Sequence, residues 1–285
     1  MAIATAGTPE PRCRYLSDAD RARAYEQSVA TYAPVAEAIG SWGIATPSAS
    51  EQQTASRVSS LAQLGKKYVA PVRMQDHRPR NSAYYEAANS GTLRASFKNA
   101  IDGNAEWLFL CTWNDGEEGT EFRPSTGIQW AVYDLSAYYL TWYKTGQAPT
   151  ISRDVLYYFH RIEWTTSQPD PTKQPVPFEL RSASQSPAQD QIELLAFLRS
   201  PGTLQIVTSA NTSRSNAPAG VTSFSVDLAS GYPKFALIRS GSTRVKLTSA
   251  FKVRDQIDWQ DLLYRGGSST RPVVDMVANP PVVVP

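Results

Sequence analysis

The sequence predicts an α/β half followed by an all-β half, on three observations. Up to about residue 164, apolar strand-like runs are separated by helical patterns of ten or more residues, the signature of parallel βαβ units. After residue 177 the period changes: Phe224, Val226 and Leu228 alternate with Ser223, Ser225 and Asp227, and Val245 and Leu247 alternate with Arg244, Lys246 and Thr248. Short alternating strands punctuated by Gly, Pro, Ser and Asn indicate an antiparallel β-sandwich. Between the halves lie residues 165–177, TTSQPDPTKQPVP, a proline-rich polar linker. The expected division is an α/β domain over 1–164, the linker, a sandwich over 178–275 and a loose tail over 276–285. A length of 285 residues suits two domains at about 150 residues each.

The elements follow in order. Ser17-Asp-Ala-Asp20 reads as a capping-box start. Tyr25, Val29, Tyr32, Ala36 and Ile39 recur at helical steps with Gly40 as a stop, so a helix is expected there, kinked or broken at Pro34. Residues 41–44 are a candidate short strand. Ala55, Val58, Leu61 and Leu64 mark a second helix closed by Gly65, and 67–72 reads as a buried strand. Leu93, Phe97 and Ile101 give a third helix, followed by 106–113, EWLFLCTW, the strongest strand of the chain. Val132, Leu135, Tyr139 and Trp142 mark a fourth helix ending at Lys144-Thr-Gly146. That makes three parallel strands up to Trp113, with 155–158 as a candidate fourth. In the second half, 191–199 and 203–208 are strands separated by the turn Ser200-Pro-Gly202.

Composition excludes several functions. Twenty-eight basic and 26 acidic residues leave a formal charge of +2 with no basic run, which argues against nucleic acid or an anionic membrane as partner. No apolar run approaches the roughly 20 residues that span a bilayer. The opening MAIATAGTPEPRCR lacks the apolar centre of a secretory signal. Cys13 and Cys111 lie far apart, and His77 and His160 are the sole histidines, so neither a metal site nor a disulfide scaffold is expected. No cofactor is predicted, and nothing sets an oligomeric state.

The informative cluster is Thr112-Trp-Asn-Asp-Gly-Glu-Glu-Gly-Thr-Glu121, at the carboxyl end of the strongest strand, where parallel α/β folds place their working residues. Asp115, Glu117, Glu118 and Glu121 repel one another unless a proton, cation or substrate relieves them, and such crowding raises the pKa of some of them, as a general acid requires. Glycosidases set two carboxyl groups about 5 Å apart to retain configuration, or roughly 6.5–9.5 Å apart to invert it. An extended Asp115 to Glu118 segment separates its Cα atoms by up to about 10 Å, so either outcome is reachable. The plainer alternative is a solvated acidic loop. Trp113 and Asn114 beside the acids, and Glu117 among them, are candidate substrate contacts, because aromatic faces pack on sugar rings while polar groups meet hydroxyls. Tyr139 and Trp142 are expected to serve packing. A second strand end, Arg73-Met-Gln-Asp-His-Arg-Pro79, places Asp76 and His77 within reach of a ligand or, alternatively, ties Asp to Arg in a polar loop. Trp42, after the first short strand, is a third lining position.

Thr112-Trp-Asn-Asp115 with Glu118, Pro124-Ser125, Tyr133-Asp-Leu, Trp142-Tyr-Lys-Thr-Gly146, Tyr84-Tyr-Glu-Ala-Ala-Asn-Ser90 and Arg153-Asp-Val-Leu-Tyr-Tyr-Phe-His-Arg161 together resemble glycoside hydrolase family 71, the α-1,3-glucanases or mutanases. The match runs from about residue 40 to 161, and Asp261-Leu-Leu-Tyr-Arg-Gly-Gly267 resembles the family's sandwich appendage. The resemblance implies part of a (β/α)8 (TIM) barrel followed by the sandwich, an inverting hydrolysis of α-1,3-glucan, a polysaccharide partner and an extracellular place of action. It implies Asp115 and Glu118 as catalytic carboxylates, with Glu118 as proton donor and Asp115 as its partner. Gly116 departs from the aromatic usual in the family, and the barrel strands that carry a further functional aspartate have no counterpart here. A complete (β/α)8 barrel takes about 250 residues, so weak or no glucanase activity is expected of this chain by itself. The alternative is a non-catalytic carbohydrate-binding or accessory protein with a degenerate barrel.

Overall fold

The computed structural model describes residues 3–6, 18–42, 46–48, 54–181 and 186–274. The expected tail at 276–285 and the capping residue Ser17 lie outside them. In chain order the first half comprises β1 (Ile3–Ala6), α1 (Asp18–Tyr32), β2 (Ala38–Ser41), α2 (Thr54–Gln63), β3 (Lys67–Val72), β4 (His77–Arg78), β5 (Ala83–Tyr84), α3 (Gly91–Asp102), β6 (Trp107–Leu110) and α4 (Ala131–Thr145). The second half comprises β7 (Val155–His160), β8 (Glu179–Leu180), β9 (Gln191–Leu198), β10 (Gly202–Val207), β11 (Thr212–Ala217), β12 (Gly220–Asp227), β13 (Lys234–Arg239), β14 (Ser242–Thr248) and β15 (Arg265–Ser268).

Strands β1, β2, β3 and β6 form one parallel sheet in that order, with Ile39 beside Tyr68 and Val72 beside Leu110. Its fourth strand is β1, which the sequence pattern had not marked. The helix expected to run through Ile39 stops at Tyr32, because Pro34 supplies no amide to continue the ladder. Ala36 lies beyond it, and Ile39 and Gly40 belong to β2, four residues that are all buried. Of the expected strand at 41–44, Ser41 belongs to β2, and residues 43 and 44 lie outside the described residues. The strong 106–113 run pairs only over Trp107–Leu110 before it opens into a loop. Helix α4 ends as expected, with Gly146 in the left-handed conformation and its amide returning to Trp142 O at 2.8 Å.

Two antiparallel sheets follow, ordered β12-β9-β7-β15 and β11-β10-β13-β14. Leu156, Tyr158, Leu194 and Ala196 share a buried cluster with Leu204, Ile206, Phe235 and Leu237 of the other sheet. The candidate fourth parallel strand at 155–158 is corrected here: β7 pairs antiparallel with both β9 and β15. Its six residues are buried on both faces, so its sequence reads as a continuous apolar run, indistinguishable by period from a parallel strand. The opposite face of that sheet carries Tyr157, Phe159, Leu195 and Phe197 into a second core with Val72, Met74, Phe97, Leu135 and Tyr139. Apolar packing is therefore continuous from the parallel strands through α3 and α4 into the antiparallel half. A three-stranded sheet, β4-β5-β8, adds a further link, with Ala83 beside Glu179.

Candidate active site

The loops after β3 and β6 leave neighbouring parallel strands at the same end of the sheet. In the first, Asp76 is buried and accepts hydrogen bonds from Arg73 Nη2 at 2.8 Å, Arg78 Nε at 2.9 Å and Arg78 Nη2 at 3.2 Å. Three charge-assisted bonds fix the position of this carboxylate. The Asp-to-Arg tie weighed from the sequence is what forms. It does not remove Asp76 from the site, because Arg78 Nη2 also reaches Glu118 Oε2 at 3.5 Å.

The second loop folds on itself. Thr112 N donates to Thr120 O at 2.9 Å, their hydroxyls meet at 2.9 Å, and Phe122 N returns to Thr112 O at 2.9 Å. Asp115 N donates to Thr112 Oγ1 at 3.2 Å, and Asp115 Oδ1 accepts the Glu118 amide at 3.0 Å. Residues 116–119 are a turn, so the extended Asp115 to Glu118 separation considered from the sequence is not used. The short side chain of Asp115 satisfies a local amide, as Asx turns do.

Glu118 is half-buried. Burial holds its carboxyl above the usual carboxylate range, reinforced by the charges of Asp76 and Asp115 and opposed by Arg78 and Arg73. It can therefore keep a proton where an exposed glutamate has lost one. His77 N donates to Glu118 O at 2.9 Å, which joins the two loops. His77 itself is buried, with its ring edge-on to Phe178 at 4.4 Å and no partner on either ring nitrogen. Burial lowers its pKa to about 4, which leaves it neutral and enclosed rather than facing a ligand.

The remaining candidates divide. Trp113 is 59% exposed and lies on a cavity of about 270 Å³ lined also by Leu110, Phe122, Tyr133, Ala137 and Leu140. Asn114 is exposed beside it. Trp42, 37% exposed, lies edge-on to Phe109 at 5.6 Å with the Arg73 guanidinium 5.8 Å from its ring centre, so it joins the cluster through Arg73. Glu117 turns outward to Arg80, 2.9 Å away between two exposed side chains. Tyr139 and Trp142 pack with Phe97 as expected. Sequence reasoning missed Arg78 as the link between the loops. An arginine two residues after an acid was the available signal, but only folding brings Glu118 beside it. Among the described residues no group of three or more His, Cys, Asp or Glu is placed to hold a metal ion, and no helix is long and apolar enough to cross a membrane.

Carboxylates thus gather at the carboxyl ends of adjacent parallel strands, one bonded by two arginines and one raised by burial. The family model described as Glycosyl hydrolase family 71 matches residues 18–263, and the chain belongs to that family. A mutanase of Penicillium rubens is 25% identical over 211 residues, covering 67% of this chain and 45% of the relative. The chain thus spans less than half the length of that relative. The GH99 endo-alpha-mannosidase of Bacteroides thetaiotaomicron overlaps 42% of this chain and 41% of its own, with a TM-score of 0.37 and 14% identity. The same enzyme in complex with BIS-TRIS-propane overlaps 50% of this chain and 46% of its own, with a TM-score of 0.39 and 13% identity. Both values are too low to define a common fold.

Proposed function

We propose that this chain is a glycoside hydrolase component acting on α-1,3-glucan by inversion, with Glu118 as proton donor and Asp115 as its partner carboxylate. The observation that carries the reading is Glu118 itself, a carboxyl raised by burial at a parallel-strand end in a family 71 chain. In such a mechanism the acid protonates the departing glycosidic oxygen while a carboxylate activates water on the opposite face of the sugar. Asp76, held by Arg73 and Arg78, supplies fixed negative charge beside the acid. Trp113 and Asn114 offer exposed contacts to the glucan, with Trp42 behind them. The likeness to a mutanase supports the α-1,3-glucan, and a polymeric substrate supports an extracellular place of action.

In this reading the parallel strands are part of a (β/α)8 barrel, and the two antiparallel sheets are a β-sandwich that begins at β7 rather than after the 165–177 segment. A barrel of this class closes with eight strands. Here the parallel sheet has four, and β1 and β6 are its edges among the described residues. That open sheet favours weak turnover by the chain alone and motivates a second reading, a carbohydrate-binding protein without catalysis.

Reducing-sugar release from α-1,3-glucan by the purified chain separates the two. Slow release that disappears in both Glu118→Gln and Asp115→Asn supports the hydrolase. Release unchanged by both substitutions removes these residues from the mechanism. Glucan pull-down with no release, unaffected by either change, establishes the binding protein.

A further inference from the structure

The segment that enters β15 reaches back from the antiparallel half to both site loops. Gln75, the neighbour of Asp76, is buried and reads the backbone of Tyr264 in both directions. Its Oε1 accepts the Tyr264 amide at 2.8 Å, and its Nε2 donates to Tyr264 O at 3.3 Å. Leu263 lies against Gly119, the neighbour of Glu118: Leu263 Cδ2 fills the space a Cβ on Gly119 would need, with Gln75 Nε2 3.4 Å from the same point. Gly119 also has φ +65°, a conformation side chains resist, so two separate reasons call for glycine there.

The segment is itself firmly held. Tyr264 Oη donates to Glu86 Oε1 at 2.5 Å and accepts from Arg161 Nη1 at 2.9 Å, and Arg161 Nε donates to Leu262 O at 2.8 Å. Arg161 and Glu86 form an ion pair of 3.0 Å with both side chains almost fully enclosed. A buried, fully bonded network of this kind has few alternative arrangements.

We propose that Leu263 and Tyr264, contributed by the antiparallel half, are positioning residues that hold the loops bearing Asp76 and Glu118 against each other. The antiparallel half then forms the rear wall of the site rather than a detachable appendage. The inference rests on the reading of Glu118 as the acid, but its test does not depend on glucan turnover.

The experiment follows the Glu118 carboxyl by ¹³C NMR titration and the His77 amide by hydrogen exchange, in the whole chain and its variants. In Leu263→Ala, water reaches the Gly119 side of the loop. The Glu118 midpoint should fall toward the ordinary glutamate value, and the His77 amide should exchange about tenfold faster or more. Leu263→Met, close in volume, should restore both readings. If Leu263→Ala fails to fold, Leu263→Val carries the same test. A lowered melting midpoint with both readings unchanged would make Leu263 a packing residue only and overturn the proposal. Readings that move in a chain that neither binds nor cleaves glucan would sink the hydrolase and leave the positioning role standing. Loss of turnover in Glu118→Gln with unmoved readings would do the reverse.

Discussion

His77 and Glu118 are joined backbone to backbone, the His77 amide donating to the Glu118 carbonyl at 2.9 Å. The bond connects loops that follow different strands, so the proposed acid is fixed by main-chain atoms while its carboxyl stays available. Glu118→Gln removes the proton and keeps this frame. It should lower glucan hydrolysis by about 10²–10⁴-fold, the usual worth of a general acid, with no loss in melting midpoint. Sugar release and a thermal melt on one preparation check both parts.

Asp76 anchors two arginines, and Arg73 is almost wholly enclosed. Asp76→Ala would remove the carboxylate that this buried guanidinium bonds at 2.8 Å. A loss of about 3–5 kcal/mol is expected, as for other broken buried pairs, read from urea unfolding. A loss below about 1 kcal/mol would mean that water or another acceptor already serves Arg73.

Stability should decline in mild acid. Burial lowers both His77 and His160 to about 4 from an ordinary value near 6.5. Between those values the unfolded chain binds more protons than the fold, so stability is complete above about pH 6.5 and is lost as the pH falls toward 4. His77→Phe keeps the ring against Phe178 and abandons no hydrogen bond. The melting midpoint of this variant should fall less between pH 7 and 4.5 than that of the parent. The comparison isolates the histidine from Glu118 and Glu163, whose raised carboxyls respond with the opposite sign.

Trp113 and Tyr139 separate contact from packing. Trp113→Ala, at an exposed site, should change unfolding free energy by no more than about 0.5 kcal/mol yet weaken glucan retention in a pull-down. Tyr139→Ala opens a hole beside Phe97 and Trp142 and should cost about 3–5 kcal/mol. Equal losses of stability in the two variants would place Trp113 in the core instead.

What was legible in the sequence was local. Lys67–Val72 is read to the residue, because its apolar run is bounded by Gly65 and by the polar stretch from Arg73. The acidic loop after β6 and the neutral packing role of Tyr139 and Trp142 follow equally from short-range pattern. The periodicity of Tyr25 to Ile39 overran its helix, since the pattern continues past Pro34 while the hydrogen-bond ladder does not. β1 escaped notice because four residues give too few alternations to stand out.

The family, the two styles of secondary structure and the strand ends that carry Asp76, Asp115 and Glu118 are all legible from the order of residues. Folding in three dimensions was needed to put β7 in the antiparallel half, Arg78 between Asp76 and Glu118, and Leu263 and Tyr264 behind both loops. The difference is one of range. Capping, period and turn chemistry act over a few neighbouring residues and leave their mark in composition. The partners of a buried amide or guanidinium are chosen by which surfaces the hydrophobic cores bring together, and residues nearly two hundred positions apart leave no local trace of meeting.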